Sequence, residues 1–373
     1  MNKKSVSLKR RLGRTGFEVN ILGLGGHTYQ VGDGPHCLLT PEARSQLISR
    51  LVSSGVNYFD TTAVQEVEVL ADSFRRADIK QNVLVSLHGG RILDAQWSER
   101  LRPGIEARLD ILGYSRAPLF ISNVGDGDAT YADIAAACET MTKLKDEKLV
   151  QNIGLSCHTP SLFPMISKLI RETDVIDYIM VRFNWKCQQA NEGLFPVAEE
   201  HNVGIVVMKI FCWDCDPSQW ERRISVFEPI AGQNRIEDSS SPTPAQRNIL
   251  WCVQNSHCDV VVPSMNTMRE VEENIEALKW IDMKVSTDNF EKYGNRLWDK
   301  KEIKMLAMYA ENKVIRERAE SLLNPKRTPP HILIRMIKTH YRILKNEGIR
   351  KYLLYSYHYR KEQLFSRLRK SRA

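Results

Sequence analysis

The chain has 373 residues, 26% of them charged, and a net charge of +8. That length accommodates one large α/β barrel of about 250 residues plus an extension, and it can bury a full core. No uncharged apolar run approaches the roughly 18 residues of a membrane span, and the opening MNKKSVSLKRRLGRTG has no apolar signal segment, so a cytoplasmic protein without a membrane span is expected.

The first element is a β-hairpin over residues 8–20, where a glycine turn separates two short extended pieces. Eight strand candidates follow, at 20–26, 56–62, 82–88, 118–123, 150–156, 176–184, 203–211 and 258–264. Amphipathic stretches lie between them, among them 41–54, 98–112, 131–147, 161–173 and 244–256. Such alternation predicts βα units around a parallel sheet, and eight repeats predict a (β/α)8 TIM barrel over residues 1–290. A doubly wound nucleotide-binding sheet is the alternative, but GLGG at 23–26 lacks the GxGxxG spacing and the helix that should follow it.

Beyond the barrel, residues 291–373 read as a basic helical C-terminal extension, broken by NPKRTPP at 324–330. From Lys326 onward there are 14 basic and 2 acidic residues, a net +12, which leaves −4 for the rest of the chain. Tyr341, Tyr352, Tyr355, Tyr357 and Tyr359 invite a nucleic-acid reading of this tail. A helix pair with an apolar stripe on the barrel and solvated Lys and Arg outside is favoured over it. An anionic partner at the tail stays open.

The eight cysteines are scattered, and free thiols are the expectation. Cys212 and Cys215 form a lone CxxC with no second pair, so no metal site is expected. Cys252 and Cys258 read as packing residues of a helix and a strand.

Six segments in order resemble the aldo-keto reductases: LGRTGFEVNILGLGG (12–26), VNYFDTT (56–62), KDEKLVQNIGLS (145–156), RFNW (182–185), VGIVVMKIF (203–211) and VPSMNTMREVEEN (262–274). The resemblance spans about residues 7–280 and implies the barrel fold. It also implies a catalytic tetrad of Asp, Tyr, Lys and His at the mouth. Asp60 keeps the first position. Gln65 stands where the tyrosine proton donor belongs, His88 where the lysine belongs, and Asn123 where the histidine belongs. Ordinary NADPH-dependent carbonyl reduction is therefore not expected, because each positioned proton-transfer group contributes roughly 10²–10⁴ in rate.

Two readings of the mouth remain. In one, the site is decayed and the protein is a non-catalytic binding or scaffold barrel, a pseudoenzyme. In the other, it is rebuilt: Asp60 orients His88 as an acid/base pair near neutral pH, for a non-redox reaction or for an NAD(P)-dependent oxidoreductase with His88 as proton donor. His27, Asp126, Cys157 and His158 follow strand ends and are expected at the same mouth.

The resemblance also implies a dinucleotide site. Ser156 and Asn184 lie where the family positions the nicotinamide, and Glu273 and Asn274 where it contacts adenine. Cys157 and Met180 replace the usual Asn and Gln. Ser264 and Glu270 replace the Lys and Arg that hold a 2′-phosphate. A carboxylate repels a phosphate, so NADP is disfavoured, and NAD or no dinucleotide is expected beside a small-molecule ligand. The C-terminal order resembles a family subgroup that carries a ferredoxin-like 4Fe-4S module. Pro330–Ile334 keeps part of that shape, but no cysteine follows Cys258, so no iron-sulfur cluster is expected.

Overall fold

The computed structural model describes residues 8–26, 40–79, 83–125, 129–211 and 241–285, and residues 304, 307, 308, 319, 320 and 323 beyond them. The hairpin forms as expected, with β1 (Lys9–Arg11) antiparallel to β2 (Glu18–Asn20). Among the described residues seven parallel strands then run side by side in chain order: β3 (Tyr58–Asp60), β4 (Leu84–Arg91), β5 (Ala117–Asn123), β6 (Val150–Cys157), β7 (Tyr178–Arg182), β8 (Gly204–Met208) and β9 (Val260–Val261).

The eighth stave is the expected first strand. It is reduced to single bridges, Leu22 to Val261 and Leu24 to Phe59, which join β9 to β3 and close the barrel. Glycines at 23, 25 and 26 keep this stave close to its neighbours and leave few side chains to pack.

Among the described residues the helices between and after the strands are α1 (Pro41–Ser53), α2 (Val64–Arg76), α3 (Trp97–Leu112), α4 (Tyr131–Asp146), α5 (Phe163–Glu172), α6 (Leu194–Glu200), α7 (Pro244–Val253) and α8 (Met268–Ala277). Four of them start at threonine caps. Thr40 accepts from Ala43 N ahead of α1. Thr130 with Asp133, Thr243 with Gln246, and Thr267 with Glu270 form reciprocal capping boxes at α4, α7 and α8.

Strand periodicity divides the core in two. Tyr58, Leu84, Leu119, Ile121, Tyr178, Met180, Val206, Met208, Val260 and Val262 fill the barrel interior with Leu12 and Val19 of the hairpin. The alternate residues, such as Phe59, Val85, Phe120, Ile153, Ile179 and Val207, pack outward against the helices.

The hairpin plugs the N-terminal end. Leu12 is fully buried, and Gly13 sits at φ +45, where a Cβ would lie 2.1 Å from Gly204 N. Arg10 donates to the carbonyls of Val253 at 2.5 Å, Asn255 at 3.2 Å and Cys258, gathering the end of α7 and the lead-in to β9. With this end sealed, the open end is the C-terminal mouth.

Among the described residues no helix is long and apolar enough to cross a membrane. Residues 304, 307, 308, 319, 320 and 323 are helical. The 290/291 boundary, the 324–330 break and the basic tail lie outside the described residues. Cys138, Cys157, Cys252 and Cys258 are buried free thiols, but Cys187 is disulfide-bonded, contrary to the free thiols expected. Scattered spacing carries no information about which sulfurs the fold brings together. Burial pushes the Cys258 thiol up to about 12 and raises Cys252 well above the ordinary thiol value, in keeping with packing roles.

Candidate active site at the barrel mouth

Asp60 is the last residue of β3 and points inward, 5% exposed, with Oδ2 3.4 Å from the amide of Gly26. Beneath it lie two buried phenols. Tyr178 Oη is 3.2 Å from Ser86 Oγ, and burial raises both Tyr58 and Tyr178 well above the ordinary phenol value. Phenols raised in this way are poor proton donors, the opposite of what a catalytic tyrosine needs.

His88 occupies the inward position two residues above Ser86 on β4, the strand paired with β3 through Asp60 and Ser86. It is half-buried, and its Nδ1 accepts from Gly90 N at 3.1 Å. The neutral imidazole therefore carries its proton on Nε2.

Asn123 ends β5, beside Ser156 of β6 and Arg91 of β4. Its Oδ1 accepts from Gly125 N at 2.6 Å. Ser156 is 1% exposed and pairs in register with Met180. Asn184 is fully buried and committed to a turn: Oδ1 accepts from Lys186 N and Cys187 N at 3.0 Å, and Nδ2 donates to Lys209 O at 3.0 Å.

Asp60, His88, Asn123, Ser156 and Asn184 thus gather at one end of the barrel. Gln65 stands in the first turn of α2 with its side chain exposed. Its neighbour Glu66 is the group that turns in. Glu66 is fully buried, Oε2 accepts from Thr62 N at 2.5 Å, and Oε1 accepts from Thr62 Oγ1 at 2.6 Å. Gly26 separates it from Asp60. A Cβ there would stand 3.1 Å from Asp60 Oδ2 and 3.3 Å from Glu66 Oε2, so a side chain at this position would press on both carboxylates.

Cys157 does not face the mouth. It belongs to the outward core, and its Sγ lies 3.3 Å from Thr159 O, because Ser156 takes the inward position and the next residue must point out. His158 is half-buried just beyond it. His27, Asp126 and the Cys212–Cys215 pair lie outside the described residues.

On the expected adenosine side, Ser264 Oγ donates to Gly26 O at 3.1 Å. Glu270 Oε2 accepts from Asn266 N at 2.5 Å and Thr267 N at 3.2 Å, so the carboxylate occupies the amides at the start of α8. Glu273 Oε1 accepts from Thr243 Oγ1 at 2.5 Å, and Asn274, next to it on the same helix, is buried. Among the described residues no three His, Cys, Asp or Glu side chains group as a metal site.

Sequence reasoning missed Glu66, Arg91, Arg182 and Lys209. Arg182 had a legible signal: it is the charged residue in the otherwise apolar strand 178–183, at an inward position of the alternation. Glu66 had a weaker one, as the third residue of a helix whose partner two residues before its start is a threonine.

A parallel barrel of this order, with a hairpin across its base and polar strand ends at its mouth, is matched by sequence as well. Residues 22–212 match the aldo/keto reductase family model. The chain belongs to the aldo/keto reductase family. Among solved structures, a provisionally assigned aldo-keto reductase from Pseudomonas aeruginosa is 19% identical, with a TM-score of 0.54 over 73% of this chain and 94% of its own. The holo form of aldo-keto reductase AKR11C1 from Bacillus halodurans is 17% identical, with a TM-score of 0.53 over 82% of this chain and 99% of its own. At these identities the likeness carries the fold alone. No curated protein matches the sequence.

Proposed function

We propose that this aldo/keto reductase barrel binds a small molecule at its mouth and does not perform ordinary NADPH-dependent carbonyl reduction. The observation that carries this reading is the exchange at the start of α2. The position of the proton-donating tyrosine holds an exposed glutamine, and the adjacent buried place is taken by Glu66, already engaged by Thr62. The remaining acid/base equipment is Asp60 with His88. His88 offers Nε2–H toward a ligand oxygen, and Asp60 supplies negative charge on the next strand. Such a pair can hold and return a proton near neutral pH without a hydride donor.

The family implies a nicotinamide dinucleotide, and the residues present fit only part of one. Ser156 lies inward beside Met180, where the family would set a carboxamide, whereas Asn184 has its amide engaged by its own turn. Glu270 fills the helix-start amides with a carboxylate, which opposes a 2′-phosphate. NAD is therefore preferred over NADP if a dinucleotide binds. In that case it would supply the hydride, and His88 Nε2–H would be the proton donor.

The test is turnover of 4-nitrobenzaldehyde with NADPH and with NADH, in the wild type and in His88→Ala. The wild type is expected to leave NADPH unconsumed. Steady NADPH oxidation that survives His88→Ala would overturn both the reading and the role of His88.

A further inference from the structure

His88 stands at a break in the ladder between β4 and β5. It pairs with Ile121, and the next pair is Arg91 with Asn123, so three steps along β4 match two along β5. The extra residue makes a β-bulge, and the ladder resumes where Ile92 N donates to Asn123 O at 2.9 Å. In a regular strand His88 and Arg91 would face opposite sides. The bulge brings both into line with Ile121, which belongs to the barrel interior, and with Asn123 two residues on. Bulges concentrate beside functional sites, where they re-aim a side chain.

The bulge is built from Gly89 and Gly90, and each position excludes a side chain for its own reason. A Cβ on Gly89 would stand 2.4 Å from Ser122 Oγ, 2.5 Å from Phe120 Cζ and 2.9 Å from Leu101 Cδ2, so the chain leaving His88 lies pressed on β5 and α3. Gly90 has open space around it but sits at φ +83, in the left-handed region that favours glycine. In that conformation its amide turns back to His88, where N–H donates to Nδ1 at 3.1 Å. An accepting Nδ1 cannot hold the single ring proton of a neutral imidazole, so that proton is on Nε2.

We propose that Gly89 and Gly90 are positioning residues for His88: their bulge holds the imidazole in the Nε2–H tautomer. Which nitrogen of a histidine carries the proton is set by the hydrogen bond that the other one makes. With Nδ1 engaged by the backbone, Nε2 is the nitrogen from which His88 can donate to a ligand oxygen. The proposal deepens the acid/base reading of His88 and rests on it.

Heteronuclear NMR of the full chain, with isotopically labelled histidine rings, reads the tautomer directly without a substrate, and His88→Gln identifies the His88 signals. With the ring neutral, the wild type is expected to show a single Nε2–H tautomer. Gly90→Ala should lose that signature, because alanine resists φ +83 and the amide withdraws from Nδ1. Gly90→Asn, which tolerates a left-handed backbone and keeps the amide, should retain it. Gly113→Ala, at φ +70 and in open space at the far end of α3, imposes a similar backbone strain and should leave His88 unchanged. A proton on Nδ1 or a mixture of tautomers in the wild type would overturn the proposal. So would an unchanged tautomer in a folded Gly90→Ala, or an equal loss in Gly113→Ala. Should Gly90→Ala not fold, loss of the signature in Gly90→Asn would overturn it and retention would support it. NADPH turnover, which would sink the proposed function, does not enter these spectra, so the two readings fail separately.

Discussion

Asp259 shows what burial does to a single carboxyl here. It precedes β9, accepts from Ile205 N at 2.8 Å, and is pushed up to about 6, chiefly by desolvation, with Arg10 pulling the other way. A folded pKa above the unfolded one means that the native state holds an extra proton between about pH 4 and pH 6. The contribution to stability is present below the unfolded value and lost as pH rises through about 6. Asp259→Asn should flatten the melting temperature between pH 4.5 and 7, by on the order of 1 kcal/mol once partial exposure is discounted. An unchanged slope would remove Asp259 from the pH response. Glu66→Ala should cost about 2–3 kcal/mol by leaving Thr62 N unsatisfied over a cavity, while Glu66→Gln should cost under about 1 kcal/mol, read by chemical denaturation. Asp60, His88 and Asn123 entered through the family resemblance, and strand alternation turns each of them inward. Gln65 was placed by the family resemblance and Cys157 by following a strand end; helix phase leaves Gln65 exposed, and strand period turns Cys157 outward.

Elements carry the next level of consequence. The hairpin holds the base shut through Gly13, whose positive φ and 2.1 Å approach leave no room for a Cβ. Gly13→Ala should therefore destabilise the fold by about 2–4 kcal/mol, whereas alanine at Gly16, with open space around it, should cost only the strain of its φ of +81. At the other end, Glu270 completes the α8 capping box. Glu270→Arg should lose about 1 kcal/mol of helix-cap stability and gain affinity for NADPH over NADH, because the start of α8 is freed for a phosphate. A melting temperature lowered without any shift in dinucleotide preference would show that the carboxylate acts only as a cap. In the sequence the hairpin showed by its glycine turn, and α8 by the resemblance over residues 262–274. The near-absence of the first strand was not legible, since whether 20–26 pairs as a ladder or as two bridges depends on neighbours far away in the chain.

At the scale of the whole molecule, charge is divided between a −4 body and a +12 tail. The full chain is expected to be retained on heparin and released by salt, and residues 1–324 are expected to pass through; equal retention would detach the effect from the tail. The barrel as a whole was legible because eight βα repeats admit few arrangements, its first stave excepted. The reaction was not, because a barrel supports many chemistries and only its strand-end residues choose among them. Those residues keep Asp60 and His88, place Glu66 beside the first, follow the second with a glycine bulge, and guard the start of α8 with a carboxylate. The most direct test of the central claim is a fluorescence titration of the full chain with NADPH against NADH. The account predicts no saturable NADPH binding, with any dinucleotide affinity confined to NADH. Tight, saturable NADPH binding would contradict it.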